Sequence, residues 1–209
     1  DIVRDFGADT LRMYEMFIGD FEKAAPWSSS SIRGVQRFLE RVWMMADSVQ
    51  DSDEIRPAME LSIHKTIRKV SEDIENLKFN TAIAAMMALM NDFTNNGVTR
   101  GEYAVLLQLL NPFAPHLTEE LWEYIGNSEE LAYHPWPTFD PAKCVESSVE
   151  IAVQVNGKIR ARITVGVEDA AADVLAAAKQ NDRVAPELVG KQIVKELYIP
   201  QKLVNIVVK

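Results

Sequence analysis

Hydrophobic residues recur at intervals of three and four positions over much of the first two thirds of the chain. Between residues 32 and 45 this spacing follows the 3.6-residue period of an amphipathic helix. The apolar positions there are Ile32, Val35, Phe38, Leu39, Val42 and Met45. The same period returns from Met59 to Leu77, just after Pro57, which suits a first helical turn because its missing N–H needs no partner there. The pattern predicts two long helices.

Further apolar segments extend this helical region. Residues 82–93 are apolar on nearly every side, which is typical of a helix packed against several others, and Asn80 can cap its start. Residues 103–110 form another run, which ends before two prolines, and Thr118 can cap a last helix after them. We therefore predict an all-α bundle of four or five helices over residues 31–130.

The segments on either side of the bundle differ from it in character. Residues 1–30 are predicted to form a helical connecting segment. Residues 131–148 contain Pro135, Trp136 and Pro137, a composition that cannot continue a helix and indicates an ordered crossing or linker.

Beyond residue 148 the hydrophobic period changes from that of a helix to two. The pair Asn156-Gly157 separates two alternating runs, and it favours a tight hairpin because a type I′ turn needs positive φ at both positions. Residues 170–178 are alanine-rich and helical by propensity, and two further strand-like segments follow them. Residues 149–209 are thus predicted to form a small β-β-α-β-β domain, which makes the chain an α+β multidomain protein.

Charge argues against a uniformly basic nucleic-acid binder. The chain carries a net charge of −9 at pH 7, whereas phosphate binding usually needs a basic footprint. The charge is uneven, however. Residues 149–209 contain nine Lys or Arg against seven Asp or Glu, while the preceding residues contain thirteen against twenty-four. Any phosphate-binding surface must therefore be local, and the tail is the first place to seek it.

Cations cluster on the second strand of the predicted hairpin. Lys158, Arg160 and Arg162 alternate with apolar residues, so all three are expected to project from the face opposite the core. Other lysines of the same domain add to this positive charge; they are Lys191, Lys195, Lys202 and Lys209. Clustered cations attract a polyanion by releasing its condensed counterions. RNA binding and an ordinary solvated strand face both stay open from this pattern.

Two smaller groups of cations lie in the predicted bundle. Arg33, Arg37 and Arg41 are spaced by four and form a stripe on one helix face, and arginine suits phosphate through its planar bidentate fork. Lys65 and Arg68 form a similar group on the next helix. Both groups are candidate tRNA-binding residues, and a solvated helix face is the alternative for each.

The sequence offers no arrangement of residues that performs chemistry. The three histidines are too far apart to suggest a local metal site and are interpreted as structural, and there is no glycine-rich phosphate loop. We therefore expect no catalytic residue and no metal ligand. The single cysteine, Cys144, favours a reducing, cytoplasmic setting. No apolar run approaches the ~20 residues that span a bilayer, so no membrane segment is expected.

Three stretches resemble the class I aminoacyl-tRNA synthetases. Residues 5–12, DFGADTLR, are similar to the segment that follows that family's Lys-Met-Ser-Lys-Ser loop. Residues 109–122, LLNPFAPHLTEELW, resemble the bundle signature shared by the leucyl, valyl and isoleucyl enzymes. Residues 153–160, VQVNGKIR, and the ending at residues 202–209, KLVNIVVK, resemble the small C-terminal domain of bacterial leucyl-tRNA synthetases. Together these stretches identify the chain as similar to the C-terminal part of that family.

The resemblance implies a function in translation. Leucyl-tRNA synthetases ligate leucine to tRNA(Leu) with ATP and Mg in the cytoplasm, and a separate inserted domain proofreads misactivated amino acids. The bundle is expected to lie along the tRNA and the C-terminal domain to reach its elbow, without reading the anticodon. The expected partners are tRNA(Leu) and the catalytic and editing domains of the same polypeptide, with no membrane and a monomeric state.

The sequence departs from the family where catalysis is concerned. It contains no His-x-Gly-His signature, no Lys-Met-Ser-Lys-Ser loop and no editing domain. The chain is therefore expected to be inactive by itself and to hold no cofactor. The alternatives are a free-standing RNA-binding or protein-interaction helical module, or the corresponding part of a valyl or isoleucyl enzyme.

Overall fold

The computed structural model describes residues 1–19, 23–146 and 148–209. These residues form two compact units, Asp1–Cys144 and Val145–Lys209, and each unit has its own hydrophobic core. The first unit is helical and the second combines a sheet with helices. The predicted fold class, a helical bundle followed by a small α/β domain, is therefore confirmed.

The described part of the first unit contains seven α-helices. They are α1 (Ile2–Phe6), α2 (Ala8–Phe17), α3 (Ser29–Met45), α4 (Pro57–Glu75), α5 (Phe79–Asn96), α6 (Arg100–Leu110) and α7 (Pro115–Tyr124). Every apolar position predicted on α3 is buried, and α2 adds Met13 and Tyr14 to the same core. Pro57 occupies the first turn of α4, as predicted from this residue type. Helix α5 ends at Asn96, and its C-cap is Gly97, whose φ is +73°.

Two predicted helix caps are wrong. Helix α5 begins at Phe79, so Asn80 lies inside its first turn, where the Asn80 Oδ1 accepts a hydrogen bond from the Thr81 N–H. Helix α7 begins at Pro115, and Thr118 is buried one turn into it with its hydroxyl donating to the Ala114 carbonyl. Proline is favoured in the first turn of a helix, and this preference places the start of α7 earlier than the Thr118 signal suggested.

A buried ion pair joins the starts of α4 and α6. Thr99 caps α6 in a capping box with Glu102, whose carboxylate is fully buried and also accepts hydrogen bonds from the Arg56 N–H and guanidinium. Burial alone would raise the pKa of Glu102, but the hydrogen bonds from Arg56 and Thr99 outweigh it and hold that pKa below its ordinary value. This carboxylate therefore stays charged inside the unit.

The loop before α4 is attached to the start of α6. The Gln50 N–H donates to the Val98 carbonyl, and the Arg100 N–H donates back to the Gln50 carbonyl. The Arg100 guanidinium bridges Asp51 and Asp53, and its hydrogen bond to Asp53 lowers the pKa of that carboxyl. Two segments that are distant in sequence are thereby held side by side.

The proline-rich segment predicted as a linker packs along α4. The Trp136 indole N–H donates to the Ser71 hydroxyl at 2.8 Å, and the Asp140 N–H donates to His64 Nδ1 at 3.0 Å. Further along, the Lys143 ammonium lies 2.6 Å from the Glu60 carboxylate. The segment thus runs antiparallel to α4 and is held to it at three points.

The second unit is a four-stranded sheet with two helices. Its elements are β1 (Ser148–Val155), β2 (Lys158–Gly166), α8 (Ala171–Gln180), α9 (Ala185–Leu188), β3 (Ile193–Ile199) and β4 (Leu203–Val208). The strand order is β2-β1-β4-β3, with β1 and β4 parallel and the other two pairs antiparallel. The short helix α9 is an addition to the predicted β-β-α-β-β order.

The hairpin between β1 and β2 has the predicted turn. Asn156 and Gly157 have φ values of +50° and +78°, as a type I′ turn requires. The Asn156 side chain also bonds both the N–H and the carbonyl of Val208, so the turn is joined to the end of β4. Val174 and Ala178 of α8 cover one face of the sheet and complete the second core.

Candidate nucleic-acid interface

The cations of β2 do not share one face, so that prediction is wrong. Val153 pairs with Ala161 and Gln154 with Ile159, which leaves Arg160 as the extra residue of a β-bulge. A bulge shifts the alternation of side chains by one position. Lys158 consequently pairs with the core-facing Val155 at the end of the strand, whereas Arg162 projects from the outer face.

Carboxylates of the same unit partly neutralise the two arginines of β2. Arg162 Nη1 lies 3.1 Å from a carboxylate oxygen of Glu150, its neighbour across the hairpin. Arg160 Nη2 lies 3.4 Å from a carboxylate oxygen of Glu187 on α9, a residue whose other oxygen lies 4.0 Å from the Lys191 ammonium. These arginines therefore present less free positive charge than their sequence spacing suggested.

Three lysines that are far apart in sequence lie at the same end of the sheet. Lys158 follows the Asn156-Gly157 turn, Lys209 follows β4 beside that turn, and Lys191 precedes β3. Backbone hydrogen bonds between Gln192 and Lys209 hold the last two segments together. All three lysines are exposed. We call Lys158, Lys191 and Lys209 the sheet-end lysines.

The sheet-end lysines follow the order of the strands. Lys158 begins β2 and Lys209 follows β4, and β1 lies between these strands, so the two strand ends are about 10 Å apart. Within residues 145–146 and 148–209, neither Lys158 nor Lys209 has an ion pair. Exposed cations at one end of a sheet can neutralise phosphates of a nucleic-acid backbone.

The remaining candidate lysines of the tail lie elsewhere on the sheet. Lys195 pairs with Val207 of β4 and projects from the outer face, opposite the face against which α8 and α9 pack. Lys202 lies in the turn between β3 and β4, away from the sheet-end lysines. The candidate lysines of the second unit therefore lie at one end of the sheet, on its outer face and in the turn between β3 and β4.

The three arginines of the α3 stripe have different surroundings. Arg33 and Arg37 are exposed, whereas the Arg41 guanidinium donates to Asn91 Oδ1 at 2.8 Å and to the Thr94 hydroxyl at 3.2 Å. Arg41 thereby joins α3 to α5. All three arginines are exposed, but within the described residues only Arg41 has its guanidinium engaged by side-chain hydrogen bonds of this kind, so Arg33 and Arg37 are the better candidates for a phosphate contact.

The cations of α4 lie beside the proline-rich segment. Lys65 and Arg68 are half-buried, and they neighbour His64 and Ser71, the two positions at which that segment is bonded to the helix. On the same helix, Lys69 is held by the buried carboxylate of Asp73 at 2.5 Å. This group is small and partly enclosed.

The histidines have separate surroundings. His64 accepts a backbone hydrogen bond, His134 stacks at a tilt on Trp122, and His116 is bonded to Asp9. Among the residues that the structure describes, no group of three or more His, Cys, Asp or Glu side chains is arranged to hold a metal ion. Over the same residues, no helix is long and apolar enough to cross a membrane.

A comparison with known protein families identifies the family to which this chain belongs. The family model described as the anticodon-binding domain of tRNA ligase matches residues 58–175, more than half of the chain. The chain belongs to this family. The match begins in α4 and ends in α8, so it covers most of the bundle, the proline-rich segment and the hairpin.

Individual relatives narrow the resemblance to one kind of tRNA ligase. The chain is 51% identical to a leucine–tRNA ligase of Alkaliphilus oremlandii over 210 residues, which cover all of this chain and 26% of that protein. It is 44% identical to a leucine–tRNA ligase of Leptospira biflexa, again over all of this chain and 25% of the relative. The chain therefore spans about a quarter of the length of the curated relatives it matches. The matched region is the C-terminal part of those relatives.

A solved structure shows the same fold over the whole chain. The similar protein is the Agrobacterium radiobacter K84 agnB2 LeuRS, crystallised as a ternary complex with tRNA and LeuAMS. The TM-score is 0.70 at 30% identity, and the match covers all of this chain and 30% of that one. The predicted resemblance to leucyl-tRNA synthetases is confirmed.

Proposed function

We propose that this chain is the tRNA-holding C-terminal part of a leucine–tRNA ligase, which joins leucine to tRNA(Leu) with ATP during translation. The observation that carries the proposal is the match of all 209 residues to the C-terminal quarter of proteins with that activity. The family of anticodon-binding domains and the LeuRS–tRNA complex with the same fold support it further.

The sheet-end lysines are the leading tRNA contacts of the second unit. Each is exposed, and together they offer a short row of positive charge in a protein that is otherwise acidic. RNA helices hide the base edges of their major groove, so recognition by contour and backbone phosphates is the usual route. In our proposal these lysines bind phosphates of the tRNA elbow.

The bundle contributes a second, weaker contact. Arg33 and Arg37 offer exposed guanidinium groups, which suit phosphate through paired N–H donors. Lys65 and Arg68 can add charge along α4. Holding the tRNA at both units would place its acceptor end for the transfer step and lower the entropy cost of that step in the whole enzyme.

The chemistry belongs to other parts of the ligase in this proposal. The chain holds neither the His-x-Gly-His signature nor the Lys-Met-Ser-Lys-Ser loop, so ATP and Mg are bound by the catalytic domain and editing is performed by its own domain. We propose that the enzyme acts in the cytoplasm as a monomer. The chain alone should neither exchange pyrophosphate into ATP in the presence of leucine nor charge tRNA.

Binding to tRNA tests the proposal directly. Affinity of the purified chain for tRNA(Leu) and for an unrelated tRNA is measured by fluorescence anisotropy from about 50 to 200 mM salt, the range over which phosphate contacts weaken most visibly. We expect salt-sensitive binding with a preference for tRNA(Leu). If the chain bound neither tRNA at low salt, a tRNA-holding role for these residues would be excluded.

A further inference from the structure

The side chain of Asn156 joins the hairpin turn to β4, a strand outside the hairpin. Its carboxamide accepts a hydrogen bond from the Val208 N–H at 2.9 Å and donates one to the Val208 carbonyl at 3.2 Å. The Asn156 N–H donates to the Ile206 carbonyl at 3.0 Å. An amide side chain carries the same donor and acceptor groups as a peptide unit, so Asn156 pairs with Val208 as a residue of a neighbouring strand would. The pairing of β1 with β4 therefore continues past Ile206, although the main chain of β1 has already turned away.

The hairpin itself does not require this side chain. A type I′ turn needs positive φ at its two central positions, and glycine also satisfies that need. Asn156 is exposed, so its side chain fills no part of the core. A second amide side chain acts in the same direction, because Asn205 Oδ1 on β4 accepts the Gly157 N–H at 3.2 Å. Both amides fix the turn against β4, which is a task separate from forming the hairpin.

The segment that ends with Lys209 is held from both sides of β4. On the β1 side, Asn156 supplies the hydrogen bonds to the backbone of Val208. On the β3 side, Lys209 exchanges two backbone hydrogen bonds with Gln192, at 3.1 and 3.0 Å. Every sheet-end lysine lies within two positions of a residue that makes one of these contacts: Lys158 follows Asn156, Lys209 follows Val208, and Lys191 precedes Gln192. The two contacts therefore set the positions of the backbones that carry the lysines.

We infer that Asn156 is a positioning residue for RNA binding: its contact with Val208 fixes Lys209 relative to Lys158, so that both ammonium groups reach phosphates of one RNA backbone. The inference rests on the proposed function, and it assigns a part in that function to a residue that carries no charge. Cations on a backbone held in place lose less conformational freedom on binding than cations on a mobile segment. Breaking the contact should therefore weaken RNA binding although no positive charge is removed.

Asn156→Gly tests the inference, and Gln201→Gly is its matched control. Glycine adopts positive φ readily, so the hairpin should still form without the contact to Val208. Gln201 lies in the turn between β3 and β4, at the opposite end of the sheet, with a φ of +58°. Its exposed side chain makes no hydrogen bond within residues 148–209. Both substitutions thus remove an amide side chain at positive φ and leave the net charge unchanged.

Binding of tRNA(Leu) is measured by fluorescence anisotropy from about 50 to 200 mM salt, on variants that circular dichroism shows to be folded. We expect Asn156→Gly to bind about fivefold more weakly and to lose about 0.9 from the slope of log affinity against log salt, the share of one phosphate contact. Gln201→Gly should change neither quantity. A merely structural role would lower the folded fraction but leave the slope unchanged, because the slope counts the counterions released in each complex.

A double-mutant cycle shows whether Asn156 acts through Lys209. In the Lys209→Ala background, Asn156→Gly should weaken RNA binding by less than about twofold, because the lysine that the contact positions is absent. Hydrogen exchange of the Val208 amide supplies a measurement without RNA. Its rate should rise about tenfold in Asn156→Gly and stay unchanged in Gln201→Gly.

The possible results separate the inference from the proposed function. If the parent chain binds tRNA(Leu) and Asn156→Gly binds it with the same affinity and slope, the inference is overturned and the proposed function stands. An equal loss in the parent and Lys209→Ala backgrounds would also overturn it, because Asn156 would then act by another route. So would an unchanged exchange rate of the Val208 amide. Absence of RNA binding by the parent chain would count against the proposed function and the inference together.

Discussion

Asp9 and His116 are 107 positions apart, yet their side chains are bonded at the start of α7. Asp9 Oδ1 lies 2.7 Å from His116 Nδ1, and Asp9 Oδ2 accepts the Leu117 N–H at 2.8 Å. Ala114, which precedes the helix, has no side-chain cap of its own. A carboxylate from α2 therefore caps α7, where it also meets the positive end of the helix dipole. This contact ties the first residues of the chain to the bundle.

Removing this cap should destabilise the helical unit. Asp9→Ala leaves the Leu117 N–H without its acceptor, and an unsatisfied, partly buried donor costs about 2 kcal/mol. We expect a lower melting temperature for the bundle and faster proteolysis at its first helices. Asp5→Ala is the matched control, because Asp5 is exposed and, among the residues that the structure describes, its side chain is bonded only to the neighbouring Arg4. An equal effect of the two changes would contradict the cap.

Gly101 allows a close backbone approach at the start of α6. A Cβ at this position would lie 2.1 Å from the Asp53 carbonyl oxygen, so Gly101→Ala must push the Asp53 loop away. This displacement would loosen the contacts of Arg100 with Asp51 and Asp53. We expect a loss of stability of about 2 kcal/mol or more in chemical denaturation, although alanine normally favours a helix interior.

Gly34→Ala is the control for that experiment. Gly34 also lies inside a helix, and its Cβ would meet nothing within 4 Å. The same substitution should therefore stabilise the chain slightly, by up to about 1 kcal/mol. Opposite signs for two Gly→Ala changes in helices would show that the approach of the Asp53 loop decides the outcome. Two equally stabilising changes would show that the loop yields without cost.

Glu102→Gln tests how much the buried ion pair with Arg56 contributes to the stability of the helical unit. The change keeps the size of the side chain but leaves Arg56 without its charged partner, and breaking such a pair costs about 3 kcal/mol. Equilibrium unfolding at pH 7 measures this cost. Glu60→Gln, which breaks the exposed pair with Lys143, is expected to change stability little.

The effect of Glu102→Gln should depend on pH. The folded state holds the pKa of Glu102 below its ordinary value, so its stabilising contribution is fully present above about pH 5. The contribution is lost as the pH falls through the folded-state pKa and the carboxylate takes up a proton. The stability difference between the parent and Glu102→Gln should therefore shrink in acid. A difference that stayed constant from pH 7 to pH 3 would contradict a charged role.

The sequence predicted those features that depend on neighbouring residues. The period of Ile32, Val35 and Phe38 predicted α3, and Asn156-Gly157 predicted the hairpin turn, because both patterns act within a few positions. The cap of α7 could not be predicted in this way. Its acceptor, Asp9, comes from a helix more than a hundred positions earlier, and only the packing of α2 against α7 brings it there.

In the candidate interface, too, only the features that depend on neighbouring residues could be predicted from the sequence. Sequence spacing identified the cations, but it could not reveal the bulge at Arg160 or the ion pairs of the two arginines with Glu150 and Glu187. It also gave no sign that Lys158 and Lys209 lie near each other, since that depends on the parallel pairing of β1 with β4. The sequence therefore shows which residues are cations. Which of them are unpaired, and which lie close together, depends on how the strands of the sheet pair.

The sheet-end lysines can be distinguished by mutation from cations that carboxylates hold more closely. Lys191 lies 4.0 Å from the Glu187 carboxylate, a longer distance than in the three control pairs. Lys158→Ala, Lys191→Ala and Lys209→Ala together remove three positive charges from one end of the sheet. The control removes three charges that carboxylates of the same unit hold, through Arg160→Ala, Arg162→Ala and Lys179→Ala. Both triple variants change the net charge of the chain equally, so any difference between them reports on position.

We expect the sheet-end variant to bind tRNA(Leu) more weakly and to lose about 2 to 3 from the slope of log affinity against log salt, since each phosphate contact contributes about 0.9. The control should lose less, because its cations must first leave Glu187, Glu150 or Glu196 to reach a phosphate. A salt titration of both variants beside the parent chain measures this. Equal slopes for the two variants would mean that overall charge, not the end of the sheet, attracts the RNA.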